Sequence, residues 1–533
     1  MSRGVALGFI LVLVGCGNPA GQTVDAPGGG DDTDGGNDAS PLIDAPTSDG
    51  WMPGDAAEPN IACASGALVS GRVLATTTSG DELVFDHIEI GTGGALFAGG
   101  QLAGRATLES GTPNSRVVQG SQIGSSVVAK YTANGAFAWA SSMSSRVGWL
   151  TALRPLADGS VLVGGYFTEQ LAIDYGTTTQ ILLPAVGTGY NIYIAKLDPD
   201  GHAVWAHSAA SGAIDGIFSI AARPDGSFVA AGYFGDGSQH TFAFPDGQNG
   251  PVAATATDMW ESGWVGSFDA QGRIGWLRTL GGSSRKDAVG FVTFASNGDL
   301  LLAGSFGADL TYTMASGPQT IQQTGNTSYG TSATYLARLA PATGNVLSLH
   351  ANGGQSTATA MLRDGGTLHL AAETDRPSAF DPSSTVPPNG AIPYASYLVS
   401  FDESFAFTKL LPLGTGFDSA KLTNLGDDAF LFSGTGSAYR RFASGPNGEI
   451  DPTPVTTPGL PPGFLACASA TDHRIVWSTA TGRSSAAALA DDGSIVAFVT
   501  FSQTVTINAG KPSAQTFTNG GFGRTSLLVR FAP

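Results

Sequence analysis

Short runs of apolar residues, separated by turns, follow one another along most of the chain. Residues 190–234 show the pattern in full, as four strands joined by three turns. The runs are apolar at consecutive positions, as expected of strands whose two faces are both covered. Asp-Gly, Asn-Gly and Gly-Gly pairs occupy the turns, and these pairs tolerate the positive φ of tight hairpins. With 75 Gly, 42% hydrophobic and 13% charged residues, the chain is predicted to be all-β.

The pattern recurs as two alternating half-units. One half-unit is a strand ending in a cation or Ser, a Gly turn and a strand that usually carries Trp, at 127–139, 193–205, 264–276, 335–347, 397–407 and 464–477. The other is an apolar strand, a turn and a strand ending near Gly, at 88–100, 153–167, 221–234, 293–306, 361–374, 423–436 and 488–501. Trp139 and Trp205 lie 66 residues apart, and Trp205 and Trp276 lie 71 apart. A four-stranded sheet repeated radially at such a period is the blade of a β-propeller.

The two ends of the repeat region complement each other. Residues 526–533 match the third strand of a unit, with no fourth strand after them, whereas residues 67–75 fit an outer strand with no preceding three. Pairing them closes the ring without a free edge. Residues 64–533 then divide into seven units of about 67 residues. The sequence therefore predicts a seven-bladed β-propeller domain at 63–533 with N-/C-terminal strand closure.

These repeats resemble a known family. The pattern A-K-L-D-x-x-G-x-x-x-W at 195–205, followed by P-D-G-S at 224–227 and then by Gly232 and Phe234, is similar to the seven-bladed β-propeller repeat of bacterial secreted and surface proteins. The match weakens where Leu347 and Phe407 stand in place of Trp. The copy at 339–347 is also similar to the repeats of pyrroloquinoline quinone dehydrogenases. The resemblance implies the fold and an envelope location, and it fixes no activity.

The N-terminus has the features of a targeting signal. Arg3 precedes an apolar run at 5–15, which is too short for a membrane helix of about 20 residues. The ending Leu-Val-Gly-Cys at 13–16 resembles the lipobox of bacterial lipoproteins. The resemblance implies a signal peptide at 1–15 and a Cys16 that carries diacylglycerol and a fatty acid such as palmitate; the alternative is an ordinary secretory signal with a chance Cys. Gly17, rather than Asp, implies an outer-membrane lipoprotein, either periplasmic or surface-exposed.

Residues 16–62 form a Gly-, Asp- and Pro-rich segment. Residues 17–62 contain nine acidic residues and no Lys or Arg, and almost nothing in them can be buried. We expect a disordered, lipid-anchored tether. The whole chain has a net charge of −18 and no basic stripe, which excludes a nucleic-acid binder. The expected contacts are the membrane, through the lipid anchor only, and an unknown envelope protein or glycan, with the protein itself a monomer.

Four acidic residues form the candidate binding site. Aligning the repeats puts Asp81, Asp215, Asp287 and, one position off, Asp418 at the entry to the innermost strands. Converging carboxylates bind Ca²⁺ or a cationic ligand. The alternative is that each Asp caps a turn by accepting backbone N–H groups. Arg146 takes the matching place in one blade, which argues against a complete metal ring. No other cofactor is expected.

Long insertions of about twenty to thirty residues separate the second and third strands of the units. Examples are 168–189, 235–259, 307–332 and 435–462. They emerge on one face of the propeller, so this face is where we expect any binding function. The alternative is that they extend or shield each blade.

Two cysteines remain besides Cys16. Cys63 precedes the closing outer strand, and Cys467 lies in the third strand of the neighbouring blade. In an oxidising compartment, a disulfide between them would stabilise the closure of the ring. The alternative is two free thiols.

No familiar catalytic motif occurs. The sequence has no nucleophile elbow, H-E-x-x-H, P-loop or C-x-x-C. The leading hypothesis is a non-catalytic envelope lipoprotein whose propeller binds a protein, glycan or matrix component. The alternatives are an enzyme using the central channel, such as a lyase, glycosidase or quinone-dependent dehydrogenase, and a purely architectural surface protein. Fold alone does not separate these hypotheses.

Overall fold

The computed structural model describes most of the chain after residue 66. The described residues are 67–77, 80–121, 123–235, 240–245, 247, 249–256, 261–282, 287–322, 332–352, 356–374, 380, 395–424, 429–442, 463–469, 474–480, 485–502, 504–508, 512–519 and 524–532. The predicted signal peptide, Cys16, the tether and Cys63 lie outside them. Among the described residues, no helix is long and apolar enough to cross a bilayer.

Four-stranded antiparallel units repeat along the chain, and in the first six of them the innermost strand comes first in the sequence. The described part of the chain begins with β1 (Leu68–Val73) and β2 (Ala75–Thr77). Blade I contains β3 (Glu82–Ile90), a 3-10 turn (Thr92–Gly94), β4 (Leu96–Ala103), the hairpin β5 (Arg105–Leu108) and β6 (Arg116–Gln119), β7 (Ser125–Tyr131) and β8 (Phe137–Met143). Blade II contains β9 (Gly148–Pro155), β10 (Val161–Phe167), the hairpin β11 (Gln170–Ile173) and β12 (Ile181–Pro184), β13 (Asn191–Leu197) and β14 (Ala203–Ala209).

The next two blades follow the same plan. Blade III contains β15 (Asp215–Ala222), β16 (Phe228–Phe234), the hairpin β17 (Thr241–Phe244) and β18 (Val252–Thr255), β19 (Ser262–Phe268) and β20 (Ile274–Leu280). Blade IV contains β21 (Ala288–Phe294), β22 (Leu300–Phe306), the hairpin β23 (Asp309–Met314) and β24 (Gly317–Gln322), β25 (Ala333–Leu339) and β26 (Val346–Ala351).

The last three blades complete the ring. Blade V contains β27 (Ser356–Asp364), β28 (Thr367–Thr374), β29 (Ala395–Asp402) and the first part of β30 (Phe407–Asn424). Blade VI contains the second part of β30, β31 (Ala429–Phe442), β32 (Gly463–Ser469) and β33 (Arg474–Ala480). Blade VII contains β34 (Ser485–Leu489), β35 (Ile495–Phe501), the hairpin β36 (Thr504–Ile507) and β37 (Gln515–Thr518), and β38 (Thr525–Phe531).

The N-terminal strand supplies the fourth strand of the last blade. β1 pairs antiparallel with β38, with Leu68 opposite Phe531 and Val73 opposite Leu527. The order of this sheet is β1-β38-β35-β34, so three strands come from the C-terminus and one from the N-terminus. The predicted all-β, seven-bladed propeller with terminal strand closure is confirmed.

The core consists of apolar layers between neighbouring blades. Seven clusters of buried residues occur among the described residues, and each joins two adjacent blades. The cluster that closes the ring joins Phe85 of blade I to Phe498 of blade VII, whose ring centroids are 5.4 Å apart. Inner strands such as β15, β21 and β22 are buried on both faces, which explains the consecutive apolar runs of the sequence.

The recurring Trp residues hold neighbouring blades together. The indole N–H of Trp139 donates to Pro199 O at 2.7 Å, that of Trp205 to Ala270 O at 3.2 Å, and that of Trp276 to Pro341 O at 3.0 Å. Each bond runs from the outer strand of one blade to the turn between strands three and four of the next. The repeat Trp is therefore a structural residue.

The insertion hairpins lie against the outer strands of the ring. Isolated bridges join Ser144 to Ala172, Ala210 to Ala243, and Gly281 to Thr311. In each case, the residue that follows the outer strand of one blade pairs with the first hairpin strand of the next blade. β2 pairs with β5 in the same way across the ring closure. The described hairpins thus connect neighbouring blades along their shared border. This agrees with the alternative that the insertions extend or shield each blade.

Candidate functional site

A β-bulge interrupts the innermost strand in six of the seven blades. At each bulge one residue of the inner strand is left without a cross-strand partner. These residues are Asp86, Thr151, Phe218, Gly290, Thr359 and Asp418. In blade VII the described residues of β34 pair without a shift. Innermost strands line the central channel of a propeller, and bulges next to a site re-aim side chains. The repeated bulge therefore marks the channel wall as the place to look for chemistry.

Glycine in the second strand makes room for the bulges of blades II and III. A Cβ atom on Gly165 would lie 1.9 Å from Trp149 O, and one on Gly232 would lie 2.0 Å from Gly216 O. No side chain is compatible with such an approach of the backbone. This is why the repeat carries Gly two residues before Phe167 and before Phe234.

Asp86 and His87 form the polar centre of the blade I bulge. His87 Nδ1 lies 2.7 Å from Asp86 Oδ1, and because an ionised carboxylate only accepts, Nδ1–H is the donor. The Asp86 side chain is 19% exposed to solvent, whereas the His87 side chain is 7% exposed. His87 Nε2 is buried and has no hydrogen-bond partner among the described residues. The pair thus consists of an accessible carboxylate and a buried imidazole that orients it.

Two cations from other blades reach the same stretch of β3. The Lys421 ammonium, on the blade VI part of β30, donates to the backbone carbonyl of Asp86. A bulged residue lies outside the ladder, which leaves its carbonyl available for such a bond. Arg154 of β9 lies 3.8 Å from the carboxylate of Glu89, and both side chains are largely buried. Acidic and basic groups are therefore gathered on the inner strands of blades I, II and VI.

An aromatic patch, which we define as Trp149, Tyr166 and Tyr190, lies beside this centre in blade II. Trp149 and Tyr166 stack with ring centroids 5.4 Å apart, and Tyr166 and Tyr190 are 5.1 Å apart. All three rings are partly exposed. Burial raises the pKa of Tyr166, and the charges of Tyr190 and Asp86 raise it further. The patch and Asp86 are thus electrostatically coupled.

Asp215 and Asp287 serve as latches that join the connection from the preceding blade to the end of the second strand of their own blade. Asp215 Oδ2 accepts the Ser211 N–H at 2.7 Å, and Oδ1 accepts the Gly235 N–H at 3.4 Å. Asp287 accepts the N–H of Gly282 and, at 2.9 Å, that of Gly307. Both side chains are fully buried. Burial raises the pKa of Asp215 to about 6, against the opposing effect of its hydrogen bonds with Ser211. Their geometry is that of the capping alternative.

The other two acidic candidates lie at different places along their inner strands. Asp81 is 8% exposed and lies directly before β3, and Asp418 falls at the bulge of β30. Among the described residues, no group of three or more His, Cys, Asp or Glu is arranged to hold a metal ion. The Asp residues of the predicted site that the structure describes are therefore not brought together as a cation site.

Cys467 is fully buried in β32 and is disulfide-bonded. Its position opposite Leu431 places it in the layer between blades VI and VII, next to the closing sheet. Cys63 lies outside the described residues, so the pairing of Cys63 with Cys467 stays a prediction.

Comparison with known proteins gives similarity of fold only. No family model matches the chain, and no curated protein matches it. The hydrazine synthase of Kuenenia stuttgartiensis is 9% identical, with a TM-score of 0.36 over 82% of this chain and 96% of that one. The quinohemoprotein alcohol dehydrogenase of Comamonas testosteroni is 8% identical, with a TM-score of 0.35 over 86% of this chain and 76% of that one. A dihydro-heme d1 dehydrogenase is 16% identical, with a TM-score of 0.21 over 63% and 66%.

These comparisons correct one expectation. All three named structures are enzymes, which runs against the expectation of a non-catalytic protein that rested on the absence of familiar motifs. Propellers build their sites from residues scattered over several inner strands, and such sites leave no local motif. At these identities and TM-scores the similarity assigns no activity to this chain.

Sequence reasoning missed Asp86, His87, Lys421 and the aromatic patch. A bulge of one residue is not visible in hydrophobic periodicity, and the cross-channel partners are more than 300 positions apart in sequence. One signal was available. The Gly two residues before Phe167 and before Phe234 marks a close backbone approach, and the inner-strand residue that follows its cross-strand partner is the one displaced.

Proposed function

We propose that the protein is an enzyme that performs proton-transfer chemistry on the channel wall, with Asp86 as the general base. The observation that carries this proposal is the hydrogen bond between the partly exposed carboxylate of Asp86 and the buried imidazole of His87, at a bulge. A base held in one orientation by a second group is the usual arrangement for general base catalysis.

Each group has a distinct task in this proposal. Asp86 Oδ2 takes the proton of a substrate hydroxyl or acidic C–H, and the electron pair of the broken bond stays on the substrate. His87 Nδ1–H holds Oδ1, which makes His87 a positioning residue. Lys421 fixes the bulge by binding the Asp86 carbonyl. The aromatic patch supplies a flat surface for the substrate next to the base.

A substrate screen tests the proposal. Full-length protein and its Asp86→Asn variant would be incubated with envelope extracts and with panels of hydroxy compounds, uronates and glycosides. Mass spectrometry would then identify compounds that are consumed. We expect at least one compound to be consumed by the wild type and spared by the variant. Binding without consumption by either protein would contradict an enzyme and would favour a binding protein of the envelope.

We further propose that the enzyme is held at the bacterial outer membrane by acyl chains on Cys16. Support comes from the lipobox-like ending at 13–16 and from the acidic, Gly-rich segment at 16–62 that would separate the propeller from the membrane. Cell fractionation tests this. Wild-type protein should be found with membranes, and a Cys16→Ser protein that remained with them would contradict the anchor.

A further inference from the structure

The aromatic patch is extended by a second pair of rings in blade III. Phe218, at the bulge of β15, stacks on Tyr233 with centroids 5.1 Å apart. Tyr233 is partly exposed, like the rings of the aromatic patch. Aromatic side chains of two adjacent blades therefore lie at the same end of the inner strands, where β9 begins and β10 and β16 end.

Carboxylates lie near these rings. Burial is the main cause of the raised pKa of Tyr233, and the negative charges of Glu261 and Asp215 contribute to it. Burial is also the main cause of the raised pKa of Tyr166, and the charge of Asp86 acts in the same direction. Burial opposes a charge of either sign, whereas the neighbouring carboxylates favour a positive charge.

Three described cations on or beside these inner strands are already paired, and one of them is Arg154, which lies 3.8 Å from the Glu89 carboxylate. The Arg146 guanidinium, three residues before Trp149, lies 2.9 Å from the carboxylate of Glu169. Lys421 is bound to the Asp86 carbonyl. A cation that arrives from solution would therefore find an aromatic surface and the Asp86 carboxylate.

We infer that the aromatic patch and Asp86 bind an organic cation, such as a protonated or quaternary amine. The inference rests on the proposed function in placing the substrate beside Asp86, and it names the substrate class. The faces of Trp and Tyr rings attract cations through their quadrupole, and the attraction grows when the cation is partly desolvated. The carboxylate adds a direct charge interaction.

A pair of isosteres tests the inference by isothermal titration calorimetry of the full-length protein. Choline carries the charge, and 3,3-dimethylbutan-1-ol has the same shape without it. We expect choline to bind about tenfold more tightly or better. Tyr190→Leu should weaken choline binding about tenfold, whereas Tyr190→Phe, which keeps the ring, should bind like the wild type. Tyr175→Leu changes a Tyr that is 43% exposed elsewhere and serves as the matched control.

The outcomes separate this inference from the proposed function. Equal binding of the two isosteres, or no binding of either, overturns the cation site even if Asp86→Asn abolishes turnover of some other compound. Selective choline binding that Tyr190→Leu weakens supports the cation site, even if Asp86→Asn leaves turnover unchanged. If Tyr175→Leu also loses choline binding, the loss reflects failed folding and not the loss of the cation site. The choline affinity of Tyr190→Phe, compared with that of the wild type, then decides.

Discussion

Gly272 lies directly beneath the indole ring of Trp205, which belongs to the preceding blade. A Cβ atom on Gly272 would be 2.6 Å from the ring, and Gly272 has a φ of +75°. Gly201 stands in the same relation to Trp139, and Gly344 to Trp276. The Gly and Trp of the repeat motif are therefore one contact across two blades, which explains why they recur together.

The first prediction concerns this contact. Gly272→Ala should destabilise the protein by about 1–3 kcal/mol beyond the backbone cost, because the added methyl group meets a ring within van der Waals distance. Gly298→Ala is the matched control, since Gly298 has a φ of +86° and open space around its Cβ. Urea denaturation of both variants measures the difference. Equal destabilisation would show that only the backbone conformation matters.

The second prediction concerns the buried latch of blade III. The folded-state pKa of Asp215, about 6, lies above the ordinary value of 3.8. Its stabilising contribution is therefore complete below pH 3.8 and is lost as the pH rises through 6. Relative to Asp215→Asn, which cannot ionise, the wild type should lose up to about 3 kcal/mol of stability between pH 4 and pH 7.

Urea midpoints of wild type and variant at pH 4, 5, 6 and 7 check this, with Asp200→Asn as an exposed control. A constant difference between wild type and Asp215→Asn over this range would contradict the raised pKa. So would a relative gain in wild-type stability as the pH increases.

Much of the fold could be predicted from the sequence because propeller blades are local. A blade forms from consecutive strands, so the period, the turn pairs and the Trp spacing are all visible along the chain. Closure was also predictable, because the unmatched strand at 67–75 and the missing fourth strand after 526–533 are both visible at the ends of the repeat. The sequence does not decide whether Asp215 and Asp287 cap a turn or bind a cation, because both roles place the Asp at the same position of the repeat.

The site could not be predicted for a physical reason. Asp86 differs from its neighbours only because one residue is displaced from the ladder, and this displacement depends on the opposing Gly99 and Gly100. The Lys421 contact depends on the closed ring, which brings blade VI within reach of blade I. Neither relation is encoded in a local pattern.

The third prediction concerns the ring closure. Cys467 is disulfide-bonded, and we expect its partner to be Cys63, directly before the closing strand. A non-reducing peptide map should recover the two peptides linked. Cys63→Ser should lower stability by about 2–5 kcal/mol, as for other native disulfides. Recovery of Cys63 as a free thiol would contradict the pairing.

The central claim is that Asp86 is the base of an enzyme, and the turnover number of Asp86→Asn tests it most directly. With a substrate identified by the screen, kcat should fall about 10²–10⁴-fold in Asp86→Asn. The exposed Asp200→Asn control should retain wild-type turnover. Circular dichroism and the melting temperature would confirm that both variants fold. A folded Asp86→Asn protein with the kcat of the wild type would contradict the account.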